Sequence, residues 1–469
     1  MKKVRFGTDG WRGIIAGNFT MANVARITNA VNLSLLNRHQ EPSVVVGYDT
    51  RFGGKLFAET VAKVLASKGI MVYLSDGYVS TPMVSYGITC YDATLGIIIT
   101  ASHNSFEYNG YKLKGHYGGP LLDEEIKVIE DLISDDLDID LNLIKWDQLI
   151  EQGLIEYVDL ESIYIEKIRR YFDLELIKNS KYNFLFDAMY GSGQNVMKKL
   201  LPNVKNLHCN VDPLFDHIPP EPLEKNLTEL ITLIQSQDNI DCALVVDGDA
   251  DRLALVDSKG NYIDTHNVLL LLIHCLVKYK NLSGKVVAGY SSTSKVEKLC
   301  KYYGLDIQRV KIGFKEVCRI MLKENVLVGG EESGGIGVRN HIPERDGIWN
   351  GIMIWQFMAE TGKSIEELIG EVKEITGEFH CDRIDHVLSK DQQFRIFENC
   401  KSGSYTSFGS YKVASMEEFD GFKFFLNNNE WVLIRPSGTE PKIRIYAESN
   451  SREQALAILD AVSETILQA

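Results

Sequence analysis

The sequence has no excess of basic charge: 50 Lys and Arg stand against 64 Asp and Glu, a formal net charge of −14 over 469 residues. That balance opposes a broad nucleic-acid or anionic-membrane surface, so neither partner is expected. It leaves room for a small anionic ligand, provided a local basic cluster receives it. The eight cysteines (Cys90, Cys209, Cys242, Cys275, Cys300, Cys318, Cys381 and Cys400) include no close pair, which excludes a CxxC redox site and a zinc ribbon. Scattered thiols of this kind suit a reducing compartment. No leader pattern opens the chain, because Lys2, Lys3 and Arg5 run into Phe6-Gly7-Thr8-Asp9-Gly10 where an apolar core would be needed. A cytoplasmic setting is the resulting expectation. The longest apolar run, residues 268–277, contains His274 and is too short to span a bilayer. It reads as part of a buried helix.

What is present is an ordinary globular composition, 45% apolar and 24% charged, at a length that predicts three or four domains. Short β-branched runs alternate with polar turns and helical stretches. Residues 43–47 form one such strand, followed by a helix over 55–68. Residues 95–99 form a second, running into Thr100-Ala101-Ser102-His103-Asn104. The unit recurs at 182–187, at 243–246 and at 326–328. Near-continuous apolar strands alternating with helices predict the α/β class, with parallel or mixed sheets covered on both faces. The aromatic, β-rich stretches 422–425 and 431–434, followed by a helix over 452–467, predict a final α+β domain with an antiparallel sheet. The acidic stretch 131–140 reads as a solvated segment. Domains are therefore expected at 1–150, 151–257, 258–373 and 374–469.

Four loops carry chemistry. Asp247-Gly248-Asp249-Ala250-Asp251-Arg252 alternates three carboxylates just after an apolar strand, and alternate positions in a curled loop can aim several oxygens at one hard cation. An EF-hand is excluded, because Arg252 and Ser258 occupy the positions where Gly and Glu are required. Ser102 stands at a strand-to-loop turn suited to a nucleophile, but Thr100 and Asn104 replace the glycines of a G-x-S-x-G elbow. Arg435-Pro436-Ser437-Gly438-Thr439-Glu440-Pro441 offers a guanidinium, two hydroxyls and a glycine backbone to a phosphate, without Walker spacing. Gly329-Gly330-Glu331-Glu332-Ser333-Gly334-Gly335 presents carboxylate acceptors and a hydroxyl that suit a sugar. A cation site, a serine, an anion fork and a hydroxyl reader together describe phosphoryl transfer on a polyol.

At this point the sequence resembles the α-D-phosphohexomutases, the phosphoglucomutase and phosphomannomutase family. The resemblance covers essentially the whole chain. It rests on the opening Phe6-Gly7-Thr8-Asp9-Gly10-Trp11-Arg12-Gly13 and on all four loops in the family's order.

The resemblance implies four domains around a central cleft, each contributing a loop. It implies Ser102 as the phosphate carrier, with Mg2+ held by Asp247, Asp249, Asp251 and an oxygen of the phosphorylated Ser102. It implies Glu331 and Ser333 as sugar readers, and Arg435, Ser437, Gly438 and Thr439 as the phosphate clamp. Arg12, Lys112, Arg252, Lys311 and Arg345 lie on or near the matching loops and supply the local positive charge, and His341 joins them in the segment His341-Ile342-Pro343-Glu344-Arg345-Asp346-Gly347. Lys112 matches the family position proposed for proton transfer, with His103 as its rival.

The implied reaction interconverts hexose 1-phosphate and hexose 6-phosphate, with glucose first and mannose as a comparable or slower substrate. It passes through glucose 1,6-bisphosphate, which also primes the enzyme. A phosphosugar is the expected partner, and a monomer or homodimer the expected assembly. Phosphoglucosamine mutase, phosphopentomutase and a metal-dependent sugar phosphatase stay open as alternatives. Two departures stand out. Ser105 replaces a frequent proline after TASHN, and Gly335 replaces a histidine frequent in the phosphomannomutase-like and phosphoglucosamine-mutase-like branches.

Overall fold

The computed structural model describes residues 4–136, 139–237, 239–426, 429–436 and 442–468. Among them four sheets follow one another along the chain. In the first, Ser43–Tyr48 lies between Leu95–Ile99 and Met71–Ser75, all parallel. Ile155–Val158, beyond the boundary expected near residue 150, extends this sheet in parallel at one edge. At the other, Tyr108–Gly115 and Trp11–Ile14 run antiparallel.

The second and third sheets repeat the plan. Cys242–Val246 is parallel to Phe184–Asp187 and antiparallel to Leu253–Asp257. Val326–Gly330 is parallel to Lys285–Gly289 and antiparallel to Ile336–Val338. One supersecondary unit therefore occurs three times: a buried parallel strand ends, a polar loop forms, and the chain returns antiparallel beside it. The three loops are Thr100–Asn104, 247–251 and 331–335. Parallel strands buried on both faces carry no polar side chains of their own, so the chemistry collects where they stop.

The last sheet is antiparallel throughout, in the order His380–Val387, Lys442–Ser449, Trp431–Pro436, Phe422–Leu426, Tyr411–Glu418 and Ser407–Phe408. It is closed by the helix Arg452–Gln468. The expected α/β architecture with a terminal α+β unit is the observed one. The helix Thr265–Lys278, with His274 inside it, is buried along nearly its whole length, as its apolar run requires.

One core runs continuously through the second and third sheets and the helices Thr81–Cys90 and Gly347–Thr361. The final unit has its own core. It meets the third sheet through Tyr290, packed with Trp431, Leu433 and Tyr446. Between the four units lies a cleft of about 2180 Å³, lined by residues from all of them.

Candidate active site

The tips of the first two hairpins meet at the floor of the cleft. Ser102 is 1% exposed and adopts a left-handed backbone, φ 53°. Its Oγ donates to Asp247 Oδ2 at 2.7 Å and lies 3.3 Å from His103 Nδ1. The loop is held from below by Arg51. Its Nη1 donates to the carbonyls of Ser105 and Tyr108, at 2.8 and 3.0 Å, and its Nη2 to those of Ser102 and Asn104, both at 2.6 Å. Asp49 pairs with Arg51 Nε at 3.2 Å and accepts from Thr100 Oγ1 at 2.5 Å. Four carbonyls gripped by one planar guanidinium fix the loop far better than a point charge can.

Asp247, Asp249 and Asp251 are fully buried, and one oxygen from each lies within 4.8 Å of the others. Oδ1 of Asp249 and Oδ1 of Asp251 accept no hydrogen bond. Buried, unpaired carboxylate oxygens are costly, and a convergent all-oxygen set of this kind fits a hard divalent cation such as magnesium. Burial, and then repulsion from Asp249 and Asp251, pushes the Asp247 carboxyl well above the usual range. Burial alone would also raise Asp249, but the charge and hydrogen bond of Lys112, with the Thr81 hydroxyl, hold it below its ordinary value.

Lys112 Nζ takes the remaining oxygens, at 2.7 Å from Asp249 Oδ2 and 3.0 Å from Asp251 Oδ2, and pairs with Asp9 Oδ2 at 2.7 Å. Burial disfavours its charge, but Asp249, Asp251 and Asp9 outweigh that and hold it as an ammonium. Arg345 bridges the same two carboxylates, Asp9 and Asp251, the latter at 2.6 Å. His103 sits among cations. Burial, then Arg252, Arg12, Lys112 and Arg51, drives it well below its ordinary value, so its ring is neutral near pH 7.

Around this floor the cleft walls carry Arg12, whose Nη1 donates to Asn104 Oδ1 at 2.6 Å, together with Arg252, Glu331, Ser333 and Arg435. Glu331 is pushed up to about 7 by burial and by Glu332, against the pull of Arg345 and Arg252. The aspartate loop and the sugar loop are stitched together. Arg252 bridges Gly335, and Leu253 N donates to Gly334 O at 3.2 Å.

Two expected contacts do not reach the cleft. His341 is buried against the ring of Trp349, centroids 3.9 Å apart, with Nε2 2.8 Å from Asp346 Oδ2. That pairing holds the side chain within the core, and it does not line the cleft. Lys311 is exposed beside the cleft, while Ile312, Gly313 and Lys315 line it. Ser437, Gly438 and Thr439 lie outside the described residues. Asp9, Asp49, Arg51 and Lys315 were not singled out by motif. The Asp49-Thr50-Arg51 step sits at the carboxyl end of a parallel strand, so the rule that found the other loops applies to it as well.

Comparison with known proteins agrees with this arrangement. Four family models match in order: phosphoglucomutase/phosphomannomutase α/β/α domain I over residues 3–138, domain II over 162–260, domain III over 264–375 and the C-terminal domain over 406–465. The chain therefore belongs to the phosphoglucomutase/phosphomannomutase family. It is a phosphotransferase of the mutase type. A phosphoglucomutase/phosphomannomutase of Thermococcus kodakarensis is 30% identical over 97% of this chain and 96% of its own. A phosphoglucosamine/phosphogalactosamine mutase of Sulfurisphaera tokodaii is 29% identical over 98% of each. Among solved structures, a Thermus thermophilus protein described as a phosphomannomutase superposes with a TM-score of 0.87 at 31% identity, over 100% of this chain and 99% of the other.

Proposed function

We propose that this chain is a magnesium-dependent phosphohexomutase that carries its transferable phosphate on Ser102 and interconverts glucose 1-phosphate and glucose 6-phosphate, accepting mannose phosphates as well. The observation that carries the reading is the meeting of Ser102 Oγ with the buried aspartate triad, 2.7 Å from Asp247, beneath a cleft walled by guanidinium groups. A phosphoserine bears about −1.5 to −2 charges near pH 7, which three bare aspartates would repel. A cation held by Asp247, Asp249 and Asp251 would cancel that repulsion and polarise the transferring phosphoryl group.

In the first transfer the bond between phosphorus and Ser102 Oγ breaks. A bond forms from phosphorus to the free hydroxyl oxygen of the hexose monophosphate, giving the 1,6-bisphosphate. The hydroxyl proton must reach Oγ. We assign that proton to His103, whose Nδ1 lies 3.3 Å from Oγ. Lys112 serves as fixed positive charge, because three carboxylates occupy its Nζ. The bisphosphate turns over in the cleft, and its other phosphate returns to Ser102. Arg435 holds the phosphate that is not reacting, and Glu331 with Ser333 reads the sugar hydroxyls.

A second reading, phosphoglucosamine mutase, is supported by the names of several relatives, at 26–30% identity. Freshly purified protein is expected to carry one phosphate, on Ser102, by peptide mass spectrometry. With magnesium and trace glucose 1,6-bisphosphate it should act on glucose 1-phosphate with a kcat/KM above that for glucosamine, mannose or ribose 1-phosphate. Full activity in Ser102→Ala would overturn the mechanism, and preference for glucosamine 1-phosphate would overturn the substrate.

A further inference from the structure

We propose that Asp420 is a positioning residue that ties the phosphate clamp at Arg435 to the sugar-reading carboxylate of Glu331, through the consecutive backbone amides of Ile312 and Gly313. The inference rests on the proposed function for the roles of Arg435 and Glu331.

The contacts form a short chain. Asp420 Oδ2 lies 3.1 Å from Arg435 Nε and accepts the Ile312 amide at 2.7 Å. The next amide, Gly313 N, donates to Glu331 Oε1 at 2.6 Å. Ile312, Gly313, Glu331 and Arg435 all line the cleft. Two carboxylates are thus set by consecutive amides of one turn.

Both ends of this chain are fixed. The turn Ile312–Gly313 stands between the strand Ile307–Val310 and the helix Phe314–Met321, so neither amide can shift alone. Asp420 stands between Tyr411–Glu418 and Phe422–Leu426, and the following Gly421 has φ +98°. A Cβ on Gly421 would lie 2.6 Å from Ile434 O and 3.0 Å from Arg435 Cβ. The Asp420-Gly421 turn is pressed against the backbone of Arg435, and only glycine allows that approach. Phe419, one residue earlier, meets Tyr290 of the third sheet edge-on at 5.2 Å, which seats the turn beside Ile312.

Asp420 faces Arg435 from the Nε side, as an ion pair without a hydrogen bond, which leaves the two terminal nitrogens for the paired donation that a phosphate receives. In an ion pair whose members are only 13% and 16% exposed, desolvation offsets much of the attraction, so the net gain in stability is small. Its consequence is orientation. A displacement of the clamp is felt at Ile312, and through Gly313 at the carboxylate that reads the sugar. Phosphate capture and sugar reading are then set together, at each of the two poses the sugar must adopt.

The test compares wild-type, Asp420→Asn and Asp420→Ala proteins by steady-state kinetics on glucose 1-phosphate and by calorimetric titration with glucose 6-phosphate. Thermal midpoints serve as the folding control. Asparagine keeps an acceptor for the Ile312 amide and loses the charge facing Arg435, whereas alanine loses both. Asp420→Asn is expected to raise KM about tenfold with kcat within about twofold, since a uniform binding contact is lost. In a double-mutant cycle with Glu331→Gln, the binding losses should be additive for asparagine and non-additive for alanine.

An unchanged KM in both variants, a loss confined to kcat, or additive losses for alanine would overturn the proposal. Should Asp420→Ala fail to fold, Gly421→Ala, which drives the same turn off Arg435, takes its place in the cycle. Failure of the functional reading shows separately, as wild-type protein inactive on glucose 1-phosphate while calorimetry still reports the cycle.

Discussion

Ser102 and Asp247 are 145 residues apart in sequence and 2.7 Å apart in space, at the tips of hairpins from two different sheets. The loops touch through backbone as well: a Cβ on Gly248 would stand 2.5 Å from Ser102 O. The serine oxygen is thereby held against a convergent set of buried carboxylates.

That convergence predicts how the protein responds to metal. Asp247 has a raised carboxyl pKa in the fold. Its stabilising contribution is present below the unfolded carboxyl value and is lost as pH rises through the folded one. Near pH 7 the ionised Asp247 therefore weighs against folding, and a cation bound beside it reverses this. Magnesium is expected to raise the thermal midpoint, by an amount equivalent to about 2.7 kcal/mol at roughly 100 times its Kd. Asp249→Asn should abolish most of that shift and most of the turnover. A midpoint indifferent to magnesium in wild-type protein would contradict the site.

Arg51→Lys should separate charge from geometry. Lysine keeps the positive charge beneath the serine loop but cannot reach the four carbonyls of Ser102, Asn104, Ser105 and Tyr108. Misplacing a nucleophile by about 1 Å costs roughly a hundredfold in rate, so kcat is expected to fall by about 10- to 100-fold. Amide exchange over 102–108 should speed up in parallel. Unchanged kcat with faster exchange would show that the loop need not be rigid.

The three hairpin loops were legible because each follows a run of apolar β-branched residues and begins with a sudden group of polar ones. Asp9, Lys315 and the role of Arg51 were not, since each acts through contacts distant in sequence. Lys315, for example, reaches Asp123 at 2.8 Å across 192 residues. His341 stands in a functional segment, yet Asp346, the cap of the next helix, and Trp349 within that helix hold it in the core. The shared plan of the first three sheets was visible as a repeated strand-and-loop pattern. The strand trailing the aspartate loop was legible as well, but the return strand after the sugar loop was not, because the three residues Ile336–Val338 have too little sequence to declare themselves.

Glu331 should make substrate binding pH-dependent. Burial and Glu332 bring it up to about 7. As pH rises from about 6 to 8 it becomes a charged acceptor for sugar hydroxyls, a stronger partner than the neutral acid. KM for the phosphosugar is expected to fall over that window in wild-type protein and to stay flat in Glu331→Gln. The linkage runs the other way for stability. The folded value exceeds the unfolded one, so Glu331 stabilises the ligand-free fold at low pH and loses that contribution as pH passes about 7. Glu331→Gln should therefore be the more stable protein at pH 8, by on the order of 2 kcal/mol.

Gly335→Ala tests how Arg345 is held at the floor of the site. A Cβ at Gly335 would meet Arg345 Cδ at 2.1 Å and Cγ at 2.9 Å, so the arginine stem passes directly over a residue without a side chain. The guanidinium beyond it bridges Asp9 and Asp251, the latter at 2.6 Å. Neither the buried stem nor the strand Ile336–Val338 that follows Gly335 has room to yield. The added methyl must then push the guanidinium off its two carboxylates, leaving them chiefly to Lys112, with Lys114 and Arg252 farther away. Gly335→Ala is expected to lower kcat/KM by about 10- to 100-fold, with less effect on the thermal midpoint than on the rate. The decisive comparison is with Arg345→Ala. If the methyl acts through Arg345, the double variant should be no slower than Arg345→Ala, a strongly non-additive pair. Losses that multiply would mean that Gly335 matters for some other reason, such as the bridge between Gly335 and Arg252 that joins the sugar loop to the aspartate loop.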